Sequence, residues 1–249
     1  MSLALILMRV KKFILIIRSP HLLFVFFKYG VLAGSEHHSV LTGNLKTIVD
    51  IGANKGQFAL ACRKWSPDAK IICFEPLQGP TIVLKKIFKN DKSVHFIQAA
   101  IGPKIIRTFI HLSAKEDSSS LLPIGPKQTE NYPGTCEKGL EEVDVAPLSS
   151  FLKPNKIISP ALLKLDVQGY EMEALIGCEN LMHKFEYIYC ECSFIELYLG
   201  QKLAHDVIDW LKNNNFTFID ILNISHDSSG RAIQADFLFK RHPTRKKDG

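Results

Sequence analysis

Several hallmarks of common protein classes are missing from this 249-residue sequence. No two cysteines form a C-x-x-C pair, and no cysteine–histidine cluster has zinc-finger spacing. Most of the cysteines fall within apolar strand or helix patterns, so we expect reduced thiols in a cytoplasmic protein. The six cysteines are Cys62, Cys73, Cys136, Cys178, Cys190 and Cys192.

An uninterrupted apolar run of the roughly 18 residues that span a membrane is also missing. Residues 1–30 are very apolar, but four basic residues and Pro20 interrupt them. The charge follows the first apolar run, and no A-x-A cleavage pattern comes after it, unlike a secretory signal. Two interpretations of residues 1–30 stay open. They form short helices packed on the domain or a partner, or a peripheral anchor with basic groups at the lipid headgroups.

Acidic residues are absent from residues 1–30, and this explains most of the basic balance. The formal net charge is +6; residues 1–30 carry +5 and residues 240–249 carry +4, which leaves −3 for the middle. A central region without excess basic charge does not favour nucleic-acid binding. We therefore expect no nucleic-acid partner.

Short apolar runs alternate with helical patterns from residue 46 onward. This succession is typical of a doubly wound, mostly parallel sheet with helices on both faces. In the first half, the pattern predicts strands at 47–53, 70–76 and 93–102 and helices at 55–65 and 81–88.

The middle of the chain departs from this alternation. Residues 105–112 alternate like a half-exposed strand, and residues 113–140 are polar and predict a long loop. A strand and a short helix over 141–152 then precede a second set of α/β elements. These are strands at 161–169 and 186–194, helices at 170–176 and 203–213, and a closing antiparallel pair at 216–225 and 235–241.

We expect three parts in the chain. Residues 1–34 form an apolar, basic helical segment, residues 35–243 a catalytic domain, and residues 244–249 a basic tail.

The segment DIGANKG at 50–56 follows the first core strand. Ligands of open α/β sheets bind outside the carboxyl ends of the strands, where small residues let a ligand approach the backbone. The spacing is not the G-x-G-x-x-G of a dinucleotide site, because Gln57 takes the place of a glycine. Nor does a Gly-Lys-Ser/Thr sequence follow, as in a phosphate-binding loop.

Two carboxylates flank this glycine turn. Asp50 precedes it, and Glu75 ends the second strand, where an acid can bind both ribose hydroxyls. A carboxylate that points into the site repels a pyrophosphate but accepts hydrogen bonds from a cationic or hydroxylated ligand. S-adenosylmethionine (SAM) has an ammonium, a sulfonium and a ribose diol. The predicted cofactor is therefore SAM, bound by Asp50, Gly52, Ala53, Asn54, Gly56, Glu75, Pro76, Ala99 and Ala100.

A further run, KLDVQGYE at 164–171, is followed by Leu175 and Gly177. Together with DIGANKG, CFEP, AAIG and CECSF, it resembles the FkbM family of SAM-dependent methyltransferases over about residues 46–241. The resemblance implies a class I methyltransferase fold, a seven-stranded sheet whose last strand runs antiparallel. It also implies O-methylation of a hydroxyl, often on a sugar or a polyketide-like product.

Asp166 is the candidate general base, because it ends the fourth core strand and a hydroxyl acceptor needs to lose its proton. The open alternative is that Asp166 only binds loop N–H groups or the ammonium of SAM. Lys164 lies on the same face of the strand and either pairs with Asp166 or holds the substrate. Glu191 is a candidate carboxylate of the acceptor site.

Other residues have weaker functional interpretations. Ser118, Ser119 and Ser120 line the acceptor site or the carboxylate of SAM, or they belong to a plain flexible loop. The structural interpretation is favoured for Glu171, His111 and Phe58. Asp166 and Glu191 do not have a spacing that demands a metal, so none is predicted. The alternative to an enzyme that methylates a saccharide, glycolipid or secondary metabolite is a non-catalytic SAM-fold protein tethered at a membrane surface.

Overall fold

Seven strands form the main sheet of the computed structural model, which describes residues 19–242. The predicted tail at 244–249 and the first 18 residues of the predicted N-terminal segment lie outside this range, and the three-part division stays a prediction. The described residues form ten strands, seven in the main sheet and three in a second sheet. They are β1 Thr47–Ile51, β2 Lys70–Phe74, β3 Val94–Ile97, β4 Ala100–Ile101, β5 Ile106–Ser113, β6 Glu137–Ala146, β7 Ala161–Leu165, β8 Tyr187–Ser193, β9 Phe216–His226 and β10 Ala232–Arg241.

The helices of the described residues pack around the sheets. They are α1 Pro20–Tyr29, α2 His38–Leu41, α3 Gln57–Trp65, α4 Gln78–Ile87, α5 Pro126–Asn131, α6 Glu171–Cys178 and α7 Ala204–Asn213. Short 3-10 turns lie at Ser35–His37, Glu116–Ser118, Leu148–Ser150, Pro154–Lys156 and Glu179–Lys184.

The strand order of the main sheet is β3-β2-β1-β7-β8-β10-β9. Strand β10 pairs antiparallel with both of its neighbours, whereas the other pairings are parallel. The fold prediction is therefore confirmed, including the antiparallel last strand. The chain runs outward from β1 in one direction and from β7 in the other, so these adjacent strands mark the point where the order reverses.

Strand β1 is buried along its whole length, as a central parallel strand requires. Its side chains alternate between two cores: Val49 and Ile51 face the core that contains α6 and α7, and Ile48 faces the core of α1, α3 and α4. Asp50 shares the parity of Ile48, so it points toward the second core.

A second sheet, in the order β4-β6-β5, corrects two predictions. The strand predicted over 93–102 is split, because Ala100 pairs with Val145 of β6 instead of continuing along β2. The long loop predicted over 113–140 is too long, because β6 begins at Glu137 and α5 lies within the remaining segment.

Helix α1 begins where the chain has a cap and a proline. The Ser19 side chain accepts from Leu22 N, Pro20 occupies the first turn, and Gly30 ends the helix at a φ of 67°. Leu22 and Val25 are buried in the core, so residues 20–29 pack on the domain. Among residues 19–242, no helix combines the length and the apolar character needed to cross a membrane.

Candidate active site

A cleft of about 360 Å³ opens at the carboxyl ends of β1, β2, β7 and β8. This is the position where ligands bind in open α/β sheets. Ten of the twelve predicted site residues line it, including Lys164 and Asp166 at the end of β7. The ten are Gly52, Ala53, Asn54, Glu75, Pro76, Ala99, Ala100, Lys164, Asp166 and Glu191.

The glycine turn after β1 needs a residue without a side chain at Gly52. Its φ is +81°, and a Cβ added there would lie 1.9 Å from the carbonyl oxygen of Asp166. The N–H groups of Gly52 and Ala53 both donate to Phe74 O at 3.0 Å. Gly52 therefore lets the ends of β1 and β7 approach each other closely and places the turn against β2.

Glu75 closes the β2 side of the cleft. Its Oε2 accepts from Asn54 N at 2.8 Å and its Oε1 from Leu77 N at 2.9 Å. Burial raises the pKa of Glu75 from 4.5 to about 7, against the lowering effect of the two N–H donors. Each carboxylate oxygen keeps a further acceptor site, so Glu75 can bind a ligand diol.

Asp50 does not line the cleft, contrary to the expectation that its carboxylate points into it. The side chain is fully buried, and its Oδ1 lies 3.0 Å from Lys164 Nζ. The two residues are direct neighbours in the β1–β7 register. Asp50 therefore lies beneath the cleft and neutralises a buried lysine instead of facing a ligand.

Gly56 does not line the cleft either. It takes a φ of +94° at the start of α3, and a Cβ there would lie 2.5 Å from Leu84 Cδ1 and 3.1 Å from Phe88. The missing side chain makes room for α4 and the residue after it. Gly56 thus serves helix packing and not the approach of a ligand.

Lys164 contacts both the buried Asp50 and residues that line the cleft. Its Nζ donates to Gly52 O at 3.2 Å and lies 3.5 Å from Asp166 Oδ2, in addition to the pair with Asp50. Burial lowers the pKa of Lys164, but the carboxylates of Asp50 and Asp166 outweigh this effect and raise it above its ordinary value. The lysine therefore stays charged, and its distance to Asp166 suits the first of its two interpretations, whereas contact with a substrate stays a prediction.

Gln168 joins the two candidate acids at the β7–β8 edge, and the sequence analysis did not select it. Its Nε2 donates to Asp166 Oδ1 at 2.8 Å and to Glu191 Oε2 at 3.1 Å. The Tyr198 hydroxyl lies 2.7 Å from Gln168 Oε1 and fixes the orientation of the amide. The Asp166 side chain is 38% exposed, so a substrate can reach it.

The pKa of Glu191 is raised well above its usual range. Burial is the largest cause, followed by the nearby charge of Asp166 and then of Asp236. The neutral form of Glu191 is therefore favoured, and the Gln168 amide separates it from the Asp166 carboxylate.

The segment between β5 and β6 forms the roof of the cleft. Ser120 Oγ donates to Gln168 O at 2.6 Å, and Gly125 N donates to Leu197 O at 2.8 Å. Ser118, Ser119 and Ser120 all line the cleft, as do Gln128 and Tyr132. The three serines therefore lie at the cleft, and their contact with an acceptor or with SAM stays a prediction.

His37 is a cleft residue that the sequence did not reveal. Its Nδ1 lies 3.0 Å from the Tyr189 hydroxyl, which donates to Asp236 Oδ2 at 2.7 Å. Burial lowers the pKa of His37, although the charges of Asp236 and Glu36 oppose it. No sequence motif surrounds His37, so no local signal could have identified it.

Glu171 and His111 occupy structural positions, as favoured. Glu171 Oε1 accepts from Val167 N at 3.0 Å and Gly169 N at 3.1 Å and so supports the turn into α6. His111 lies on the second sheet with its Nδ1 2.8 Å from Glu137 Oε2. Within residues 19–242, no group of three or more His, Cys, Asp or Glu residues could hold a metal ion.

Acidic residues outnumber basic ones around this cleft, which favours a cationic ligand even though the neutral form of Glu191 is favoured and Glu116 pairs with Lys55 at 2.6 Å. Among the lining residues, six are acidic and the basic one is Lys164, whose charge is already matched by Asp50. The acidic residues are Glu36, Glu75, Glu116, Asp117, Asp166 and Glu191.

Two cleft amides also lack a partner within the described residues. The side-chain oxygens of Gln57 and Gln128 are buried and accept no hydrogen bond there. Buried acceptors without donors are costly, and both oxygens lie behind the accessible surface of the cleft wall.

The sheet topology and the acidic cleft at the β1–β7 switch define a class I methyltransferase fold. Residues 50–218 match the family model of the methyltransferase FkbM domain, and the chain belongs to this family. The resemblance seen in the sequence motifs is thereby confirmed.

Two curated relatives are similar to this chain. One is the 2-O-methyltransferase NoeI of Sinorhizobium fredii, 28% identical over 170 residues, which are 66% of this chain and 70% of NoeI. The other is Methyltransferase 1 of Beauveria bassiana, 29% identical over 148 residues, which are 53% of this chain and 58% of that protein.

One solved structure is also similar to this chain. Streptococcus pneumoniae Sp1610, in complex with S-adenosyl-L-methionine, is 10% identical with a TM-score of 0.49, over 86% of this chain and 75% of that one. The fold assignment rests on the strand order of the main sheet.

Proposed function

We propose that this chain transfers the methyl group of SAM to a hydroxyl oxygen of a saccharide, glycolipid or secondary metabolite. The observation that carries the proposal is the single cleft that contains both Glu75 after β2 and Asp166 after β7. The name of the relative NoeI, a 2-O-methyltransferase, supports oxygen as the accepting atom.

Glu75 is the residue proposed to bind the ribose hydroxyls. Asn54 N and Leu77 N already fix its carboxylate, so the group is preorganised for a diol. Ala99 and Ala100 are small cleft residues that leave room for a flat base beside Glu75.

SAM supplies a methyl group that is activated by the sulfonium to which it is bonded. Asp166 is proposed to take the proton of the acceptor hydroxyl as the oxygen–carbon bond forms and the carbon–sulfur bond breaks. The Gln168 amide and Lys164 hold the Asp166 carboxylate in place from two sides. Positioning of the acceptor is the main task of the protein, because the donor is already activated.

Glu191 suits a different task from Asp166. Because its pKa is raised, its favoured neutral form donates a hydrogen bond and does not accept a proton. We propose that Glu191 orients the acceptor from the β8 side, opposite the segment that contains Tyr132.

The test combines cofactor binding and turnover. SAM should raise the thermal midpoint of the wild type by mass action. Glu75→Ala should abolish that shift, whereas Glu179→Ala, the removal of an exposed acid outside the cleft, should retain it. Full SAM affinity in Glu75→Ala would contradict the placement of the cofactor.

Asp166→Asn separates binding from chemistry. It should keep the SAM-induced shift and lose turnover in a screen of hydroxylated sugars and lipids, because the amide cannot take a proton. Unchanged turnover would remove Asp166 as the base. SAM binding without turnover on any acceptor by the wild type would favour the non-catalytic alternative.

A further inference from the structure

Helix α1 exposes two large aromatic side chains beside its buried side. Leu22 and Val25 are packed in the core, whereas Phe24 is 55% exposed and Phe27 is 78% exposed. Two phenylalanines on one short surface helix are costly to leave in water. This apolar edge is therefore a candidate contact surface.

A groove of about 630 Å³ lies next to this edge, between α1 and the residues that follow α4. Arg63 and Asp91, both in its wall, neutralise each other at 2.6 Å. The remaining charged residues of the wall are all exposed lysines, so the groove is strongly positive. We call this set the lysine groove; it consists of Lys28, Lys86, Lys89 and Lys92.

The aromatic edge and the lysine groove form one continuous surface. Phe24 and Lys28 both line the groove, and Lys28 Nζ lies 5.1 Å from the centre of the Phe24 ring. Apolar rings bordered by lysines match the two layers of a membrane surface, the acyl boundary and the anionic headgroups.

The sequence that precedes α1 is also apolar and basic. Residues 1–18 lie outside the described range, but their sequence is apolar with four basic residues and no acid. They join the domain at Ser19, directly before the exposed edge of α1. Their apolar and basic composition suits the same type of partner as the lysine groove.

We propose that the aromatic edge of α1 and the lysine groove dock this protein on an anionic lipid surface. A nucleic acid fits this surface less well, because two exposed phenylalanines offer little to a phosphate backbone. The proposal is independent of methyl transfer, since the surface lies outside the residues that line the acidic cleft.

The test measures binding of the full chain to vesicles by co-sedimentation. Vesicles of phosphatidylcholine with about 30% phosphatidylglycerol are compared with phosphatidylcholine alone, at low and high salt. The wild type should bind the anionic vesicles and lose affinity as salt rises.

Two variants remove the two halves of the surface. Lys86→Glu/Lys89→Glu should weaken binding by at least about 25-fold, since each lysine near the lipid contributes about fivefold. Phe24→Ser/Phe27→Ser should weaken it by about tenfold or more. Both pairs are exposed, so circular dichroism should show an intact fold.

Lys202→Glu/Lys212→Glu is the matched control, because it changes the net charge equally at exposed positions outside the groove. It should bind like the wild type. Failure of the wild type to bind anionic vesicles overturns the proposal. So does an equal loss in the control pair, or wild-type affinity in both groove variants, which would assign the contact to residues 1–18 alone.

Discussion

The buried pair of Asp50 and Lys164 predicts a stability defect with a distinctive pH dependence. Lys164→Met removes the ammonium 3.0 Å from an Asp50 carboxylate that has no exposed surface. Burial already raises the pKa of Asp50, and Lys164 is the largest influence that lowers it. Without the lysine, Asp50 should take up a proton on folding, since an unpaired charge in the core costs more.

The cost follows from the ordinary pKa of the carboxyl. Protonating a group with a pKa of 3.8 at about pH 7 costs about 4.4 kcal/mol, which sets the ceiling. Removal of one member of a buried pair costs about 3–5 kcal/mol in other proteins. We therefore expect the free energy of unfolding of Lys164→Met to fall by about 3–4 kcal/mol near neutral pH.

The raised pKa of Asp50 in the folded state fixes the direction in which the stability of Lys164→Met changes with pH. A group whose pKa is higher in the folded state contributes stability at low pH and loses it as pH rises. The gap between Lys164→Met and the wild type should hence shrink as the pH falls below about 7, by up to about 1.4 kcal/mol per pH unit, until Asp50 of the wild type takes up a proton as well.

Urea unfolding, followed by the fluorescence of Trp65 and Trp210, measures this gap across the pH range. Asp50→Asn/Lys164→Met is the matched control: it carries no charge at either position, so its defect should not vary with pH. A defect of Lys164→Met below about 1 kcal/mol, or one that is independent of pH, would refute the reasoning. The same logic predicts that Asp50→Ala destabilises the fold by leaving Lys164 without its partner.

The cleft offers two further predictions. Gly52→Ala should cost more than about 2 kcal/mol, because its Cβ would lie 1.9 Å from Asp166 O; Gly30→Ala, also at positive φ but with open space around it, should cost only about 1 kcal/mol. Urea midpoints of the two variants measure the difference, and equal costs would contradict the close approach of β1 and β7. SAM affinity should fall up to about tenfold per pH unit below pH 7, because Glu75, with a pKa of about 7, binds a diol best when ionised. Calorimetric titration of Glu75→Gln should show weaker binding without this dependence; an unchanged pH profile would assign it to another group.

Much of the sheet could be predicted from local patterns. The run ALLKL of β7 is continuous and apolar because a central parallel strand is buried on both faces. The split of the third strand could not be predicted, since Ala99 and Ala100 continue the same apolar run. Pairing with Val145, 45 residues later in the chain, draws Ala100 into the second sheet.

Part of the candidate site could likewise be predicted from the sequence, and part could not. Glu75 and Asp166 could be placed at one edge from sequence, because parallel strands end on the same side of the sheet. The inward direction expected for Asp50 was wrong, because its neighbour across the sheet is Lys164 and the pair is buried together. Gln168 lies three residues after the end of β7, but its contact with Glu191 depends on β8 lying next to β7.

Apolar periodicity and the glycine turn, read from the sequence alone, determined the α/β order, the parallel sheet and the edge where its acids gather. These properties depend on the burial of each strand and on the conformations of a few adjacent residues. Only the tertiary structure decided that Asp50 neutralises Lys164, that Gly56 serves helix packing, and that His37 reaches the cleft. Such contacts join segments far apart in the chain, and they exist only once strand order and register are set.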